Sequence, residues 1–165
     1  MNSTDLQSAK KSVLSTSGLW TNWEEVTEGG FNPGQISEAY MIGQAHGRAE
    51  VQRILSTTFE NNINKAFGIS EEKFDVLRRI FGVEPVAMRM RILGIASFET
   101  LFILSGNDYI SENIETVYGF LMEEMSRINS EEFTWSFVVM PSVEGLNDDA
   151  ISSDGFLLRY AHKAA

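Results

Sequence analysis

The sequence predicts an α+β domain of two layers, in which a four-stranded mixed sheet packs against helices. Two periods in the sequence support this prediction. Apolar residues recur at steps of three and four in residues 35–64 and 109–128, which is typical of a helix covered on one side. Apolar and polar residues alternate in residues 86–93, 133–140 and 156–162, which is typical of strands. With a short second helix, the order along the chain is α-α-β-β-α-β-β.

Residues 1–34 are predicted to form a partly ordered arm ahead of a single α+β domain at residues 35–165. The arm is rich in Ser, Thr, Asn and Gly and has no sustained apolar period. Trp20 and Trp23 are its candidates for anchoring on a neighbouring surface.

Proline and glycine mark the predicted ends of the first two helices. The first helix begins after Pro33 and ends at Gly68, because glycine suits the left-handed conformation that follows a helix. The second helix begins at Ser70, a predicted N-cap, and ends before Gly82. Its first turn is acidic, which the helix dipole favours.

The remaining elements differ in predicted burial. The strand at residues 86–93 has one apolar and one wet face, whereas residues 101–104 are apolar on both faces and belong nearer the centre of the sheet. The helix at residues 109–128 turns an apolar stripe toward the sheet and its glutamates away from it.

The turn Ser105-Gly106-Asn107-Asp108 leads from the central strand into that helix. A glycine turn before a helix can bind phosphate through free N–H groups. Here a phosphate would meet Asp108, Glu112 and Glu115 without a nearby Lys or Arg. We therefore interpret the turn as a structural cap, made by Asp108 or Ser111.

Composition narrows the possible functions. The chain has 165 residues, no cysteine, two histidines and a net charge of -10. The acidic balance disfavours nucleic acid as a partner, and no apolar run approaches the roughly 18 residues of a membrane span. The two histidines lack ligand spacing, and no nucleophile, zincin or Walker motif is present, so we expect no metal, no cofactor and no catalytic residues. We expect a cytoplasmic protein and favour one that is not an enzyme.

The 105–108 turn also resembles the C-terminal, polymerising domain of the tubulin/FtsZ superfamily. In that domain a strand ends in a Gly-x-Asp turn and a helix follows, as residues 105–108 and then Glu115-Thr116-Val117 do here. The strand that closes in Gly94-Ile95-Ala96-Ser97 resembles another strand of the same domain. Residues 1–34 are too few for the GTPase domain of that family, and its helix after this strand is missing.

The resemblance implies a specific layout. Residues 35–64 would be the core helix of that domain, residues 69–75 an acidic loop, and residues 133–140 and 156–162 a final hairpin. A second register, in which residues 40–49 match the strand and its following helix, stays open.

Glu71, Glu72 and Asp75 are candidates for binding a partner. In the superfamily an acidic pair on this loop enters the nucleotide site of the next subunit and helps activate water, and Glu72 and Asp75 have the same spacing. The alternative interpretation is that they are first-turn residues favoured by the helix dipole.

Ala39, Gly43 and Gly47 are further partner-binding candidates. They stand four apart on one helix face, where each mid-helix glycine costs about 1 kcal/mol relative to alanine. We infer that another surface approaches this face closely: the sheet, a second copy of the helix or the arm.

Arg89, Arg91 and Arg159 are the candidates for binding an anion. They are predicted to share the sheet face that the helix at residues 109–128 does not cover, where three guanidinium groups suit a carboxylate or a phosphate. The alternative is that they pair with Glu99 or Asp154 across strands.

These observations favour a non-catalytic protein-interaction module that forms homo-oligomers or caps or regulates a tubulin/FtsZ-like filament, with a role in cell division. The alternative is a small-molecule or anion-binding protein, or an enzyme, that uses the arginine face. A secretion-type chaperone is a third possibility, because acidic α+β dimers of this size are common in that role.

Overall fold

The structure is a computed structural model that describes residues 23–25 and 49–161. The predicted α+β class is confirmed, because helices pack against a mixed sheet. The elements in chain order are β1 (Trp23–Glu25), α1 (Ala49–Arg79), β2 (Pro85–Gly94), β3 (Ser97–Leu104), α2 (Gly106–Tyr109), α3 (Ile114–Ile128), β4 (Thr134–Pro141), α4 (Asp148–Ser153) and β5 (Leu158–Tyr160).

The sheet has the strand order β1-β5-β2-β3-β4. Strand β2 is antiparallel to both β3 and β5, β1 is antiparallel to β5, and β3 and β4 are parallel. The predicted strands therefore form a four-stranded mixed sheet, to which β1 adds a short fifth strand with Trp23 in register with Tyr160. Strand β3 lies inside the sheet and residues 101–104 are buried, as their two apolar faces predicted.

The predicted hairpin of residues 133–140 and 156–162 is wrong. Strand β4 lies beside β3 and β5 lies beside β2, so two strands separate them. The reason is the connection through α3, whose buried residues Val117 and Leu121 must cover the sheet. A crossover of this kind returns the chain parallel to the strand it left.

The predicted break at Gly68 is also wrong, because α1 runs without interruption from Ala49 to Arg79. Residues 69–75 are therefore helical, not a loop. A side chain at Gly68 would meet nothing within 4 Å, so this glycine marks an exposed position rather than an end. The helix does close at Gly82, as predicted, with a φ of 64°. None of the described helices is both long and apolar enough to cross a membrane.

The contacts of Ser70 explain why α1 continues through the position at which a second helix was predicted to begin. Its hydroxyl donates to the Ala66 carbonyl at 2.8 Å, inside the helix, and lies 2.7 Å from Thr100 Oγ1 on β3. Trp135 Nε1 on β4 donates to the same Thr100 oxygen at 2.9 Å. This buried polar group fixes α1, β3 and β4 to one another, because a buried hydroxyl without a partner would be costly.

The main core lies between α1, α3 and one face of the sheet. Its largest member is Trp135, which is fully buried. The opposite face is not simply wet: Leu101 and Ile103 are buried there against Ile151 and Phe156. The polar segment after β4 forms α4, which carries Ile151 over the sheet, and Phe156 follows in the turn behind it.

The helix predicted at residues 109–128 is divided, because α2 ends at Tyr109 and α3 begins only at Ile114. The turn at residues 105–108 is a structural cap, as predicted, but it caps α2, and the capping residue is Ser105 and not Asp108 or Ser111. Ser105 Oγ accepts from the Asp108 N–H at 3.1 Å and donates to Asp108 Oδ2 at 2.8 Å. Ser111 instead donates to the Asp108 carbonyl at 2.7 Å.

Candidate functional site

The three predicted arginines lie together on the sheet face opposite α1 and α3. Arg89 on β2 and Arg159 on β5 are register partners. Arg91 lies two residues further along β2, and side chains at that spacing point to the same face of a sheet. The structure therefore brings the three residues together where the sequence predicted them.

Asp148 at the start of α4 pairs with two of these arginines. Its Oδ1 lies 2.7 Å from Arg89 Nη2, and its Oδ2 lies 2.8 Å from Arg159 Nη2. The Arg89 side chain is only 2% exposed and also donates to Ser152 Oγ at 3.2 Å. Burial lowers the pKa of Arg89, and the Asp148 charge opposes that shift.

Arg91 is paired separately. Its Nη2 lies 2.6 Å from Glu99 Oε2, the residue opposite it on β3, and its Nη1 donates to the Asp154 carbonyl at 3.0 Å. The guanidinium lies over the ring of Phe156, 4.7 Å from the ring centre. Cross-strand pairing with Glu99 thus occurs here, whereas the Asp148 partnership of the other two arginines had no signal in the sequence.

An open cleft of about 790 Å³ lies beside Arg89 and Arg159. Its lining carries three carboxylates, from Glu84, Asp108 and Asp148, against these two guanidinium groups. Carboxylates therefore outnumber cations, and an anion entering the cleft would have to displace Asp148 from its partners. The cleft is better suited to a polar or cationic group than to a phosphate.

The acidic candidates Glu71, Glu72 and Asp75 lie in the second half of α1. They are neither on a loop nor in a first helical turn, so both interpretations of their position are wrong. Glu72 lies 2.8 Å from Lys73, and Asp75 lies 3.7 Å from Arg79. No cluster of three or more potential metal ligands occurs in the described ranges 23–25 and 49–161.

Two of these carboxylates, Glu71 and Asp75, lie near Tyr160 at one end of the cleft. Burial raises the pKa of Tyr160, a cleft residue, and the charges of Glu71 and Asp75 add to the increase. Arg78, which lies 3.2 Å from Glu84 of the cleft lining, opposes the increase, so this end of the cleft carries charges of both signs.

Ala39, Gly43 and Gly47 lie outside the described residues. Trp20 and both histidines lie outside them as well. The close approach inferred for the small residues stays a prediction.

The outer edge of β4 was not among the predicted sites. The Thr134 N–H donates toward β3, to the Ala96 carbonyl at 2.7 Å. Successive residues of a strand direct their backbone groups to opposite sides. The N–H and C=O groups of Trp135, Phe137 and Val139 therefore point away from β3, and no described strand lies on that side.

The two ends of this edge are closed by side chains and its middle is open. The Trp135 N–H donates to Asn129 Oδ1 at 2.7 Å, and the Val139 carbonyl accepts from the Tyr118 hydroxyl at 3.4 Å. Among the described residues, no hydrogen bond uses the N–H or C=O of Phe137.

The middle of this edge also lacks the usual protection against pairing. Natural edge strands carry Lys, Pro or a bulge that blocks a further strand. The eight residues of β4, TWSFVVMP, contain no charge, and Pro141 is the last of them. The Val138 side chain is 38% exposed on the face away from α3. Alternation predicted the strand, but its edge position depends on the sheet order and could not be read from the pattern.

No family model, curated protein or solved structure matches the chain. Its function is therefore inferred from the geometry of its own residues. The resemblance to the tubulin/FtsZ superfamily stays a prediction.

Proposed function

We propose that this chain is a non-catalytic protein-interaction module that binds another polypeptide as an added strand beside β4. The observation that carries the proposal is the open, uncharged edge around Phe137. In strand addition, main-chain hydrogen bonds supply affinity and alternate side chains supply specificity. The exposed Val138 side chain would contact such a strand on one face of the sheet.

The resemblance to a polymerising domain suggests the kind of polypeptide. We propose that the module associates with copies of itself or with a tubulin/FtsZ-like filament, which it caps or regulates. The Glu72 carboxylate is available for a second contact with a filament, because its side chain is 62% exposed. Glu71 and Asp75 extend the same acidic surface.

Light scattering after size-exclusion chromatography, and co-sedimentation with purified tubulin-type and FtsZ-type filaments, test this proposal. The variant is Val138→Lys, which puts a natural edge-blocking residue on β4. The control is Val143→Lys, the same change at an exposed valine just beyond the strand. We expect Val138→Lys to abolish association and Val143→Lys to preserve it. If the wild-type protein neither self-associates nor pellets with filaments, or if both variants behave alike, the proposal fails.

A second candidate function is the binding of a small molecule in the cleft beside Arg89 and Arg159. The size of the cleft favours it, and the engagement of both arginines by Asp148 weighs against an anionic ligand. A thermal-shift screen with amines, carboxylates and phosphates tests it, because a ligand of the native state raises the melting temperature. No shift across the screen would remove this candidate.

A further inference from the structure

We infer that the strand added to β4 is β4 of a second copy of this chain, running antiparallel about a two-fold axis at Phe137. This inference rests on the proposed function and adds the identity and register of the partner. The result would be one continuous sheet across two copies.

The open backbone groups of β4 are complementary to themselves. Opposite residues at a hydrogen-bonded antiparallel position exchange both N–H···O=C bonds. With Phe137 opposite its own copy, Trp135 of one copy lies opposite Val139 of the other. Each residue whose backbone N–H and C=O point away from β3 therefore faces another residue of the same kind. A shift of one residue would set outward groups against groups already bonded to β3. A shift of two in one direction brings Pro141, which has no N–H, opposite Trp135. A shift of two in the other direction brings Phe133, whose N–H and C=O already bond to Ser130, opposite Val139.

The central bonds of the pairing form at Phe137 without disturbing an existing hydrogen bond among the described residues. Phe137 and its copy would exchange two hydrogen bonds, and each Val139 N–H would donate to the Trp135 carbonyl opposite, which makes four in all. At the same two positions the Val139 carbonyl of one copy would face the Trp135 N–H of the other, so Asn129 Oδ1 and the Tyr118 hydroxyl, which now bond to these groups, would have to share them or move aside. The open segment is thus short, and we expect a reversible dimer rather than an obligate one.

Charge also favours β4 as the place where two copies meet. Each copy carries a net charge of -10, so most pairs of surfaces repel. In the inferred register the uncharged Val138 lies opposite Ser136. The Glu99 carboxylate, which accepts a hydrogen bond from Ser136, is already paired with Arg91. Because the remaining repulsion is long-range and screened by salt, we expect the dimer to strengthen as salt rises.

Helix α3 adds an apolar contact beside the edge. Tyr118 packs on Phe137, with ring centres 6.0 Å apart, and Met122 lies one helical turn further on. The Met122 side chain is 50% exposed. Strand pairing would bring the two α3 helices side by side and cover Met122.

Cysteine cross-linking tests the register, because the chain has no cysteine of its own. Ser136→Cys and Val138→Cys are prepared separately in the full-length protein, mixed and oxidised. Residues 136 and 138 are direct opposites in the inferred pair, at a spacing of about 4.5 Å between Cα atoms, which suits a disulfide. Residue 136 lies diagonally from residue 136 of the other copy, and residue 138 from residue 138, at about 7–8 Å. We expect the mixture to form disulfide-linked dimers at least about tenfold faster than either variant alone.

The outcomes separate this inference from the proposed function. A variant that cross-links alone as fast as the mixture does overturns the register. A wild-type protein that stays monomeric at all concentrations, while Val138→Lys still abolishes filament binding, overturns the second copy and leaves strand addition intact. A monomer whose Phe137 amide is protected from hydrogen exchange at every dilution would show that a part of the same chain outside the described residues occupies the edge, and it would overturn both proposals. If no association depends on Val138, both proposals fail.

Discussion

The arginine face and the β4 edge lie on the same sheet but differ in how their polar groups are satisfied. On the face, the guanidinium groups of Arg89 and Arg159 have a carboxylate partner in Asp148, and Arg91 has one in Glu99. On the edge there is no charge, and the backbone groups of Phe137 have no described partner. A cluster of charges thus need not be a binding site, whereas a strand without charges can be one.

The difference follows from the reach of the groups involved. A charged side chain on the sheet can be paired by a residue of another element, and α4 carries Asp148 over the sheet, where it pairs with Arg89 and Arg159. Within a protein, backbone groups of an edge strand are satisfied only by another strand or by side chains of suitable position, and otherwise they bond to water. Asn129 and Tyr118 do this at the two ends and cannot reach the middle.

Asp148→Ala removes the carboxylate that pairs with Arg89 and Arg159, and we expect it to cause the largest loss of stability among the proposed variants. It leaves the buried Arg89 charge with only the Ser152 hydroxyl. Removing one partner of a buried ion pair costs about 3–5 kcal/mol, and because Asp148 is itself 62% exposed we expect the free energy of unfolding to fall by about 2–3 kcal/mol. Urea unfolding measures it.

Phosphate and two control variants sharpen the same experiment. Phosphate should restore part of the lost stability to Asp148→Ala and leave the wild type unchanged, because only the variant leaves Arg89 and Arg159 without their Asp148 partner. Asp149→Ala, an exposed neighbour, should change stability by less than about 0.5 kcal/mol. Arg89→Met removes the charge together with its need for a partner and should cost less than Asp148→Ala. Equal losses in the three variants would contradict the role given to Asp148.

A second group of paired charges, formed by Lys73, Glu124 and Arg127 between α1 and α3, is expected to contribute less to stability than the Asp148 pairs. Glu124 accepts two hydrogen bonds from Arg127, at 3.0 and 2.7 Å, and one from the buried Lys73. These bonds hold the pKa of Glu124 at about 2 instead of 4.5, the hydrogen bonds from Arg127 being the larger cause. Glu124→Gln should reduce stability at pH 7 by about 1–2 kcal/mol, allowing for solvent around Arg127.

The pH dependence identifies Glu124 as the cause. A carboxylate whose pKa is lowered on folding stabilises the native state above its unfolded pKa, and this contribution is lost as pH falls from about 4.5 toward about 2. Glu124→Gln should therefore flatten the stability profile in that window. Glu123→Gln, on the exposed side of the same helix, is the control. A profile of the same slope in both variants would assign the acid sensitivity to other carboxylates.

Periodicity predicted the fold well where one element covers one face. The central position of residues 101–104, the stripe on α3 and the shared face of the arginines all follow from repeats of two or of three and four. It failed at Gly68, because packing of Ser70 on Thr100 and Trp135 keeps α1 helical where a local signal indicated an end.

The candidate site was harder to predict because it depends on which strands are neighbours. The strand pattern of residues 133–140 is the same whether β4 pairs with β5 or lies at an edge. The Asp148 bridge likewise requires that α4 crosses the sheet, a contact between residues far apart in sequence.

The smallest expected effect on stability belongs to Val138→Lys, the variant that should abolish association. Val138 points away from the main core and is 38% exposed, so its replacement should change the free energy of unfolding by no more than about 0.5 kcal/mol. Urea unfolding at a concentration low enough to keep the protein monomeric measures this. A loss above about 1 kcal/mol would show that Val138 packs within its own chain, and the failure of association would then have a folding cause. A near-zero change with association lost would confine the role of Val138 to contact between polypeptides, whereas Asp148 acts within one chain.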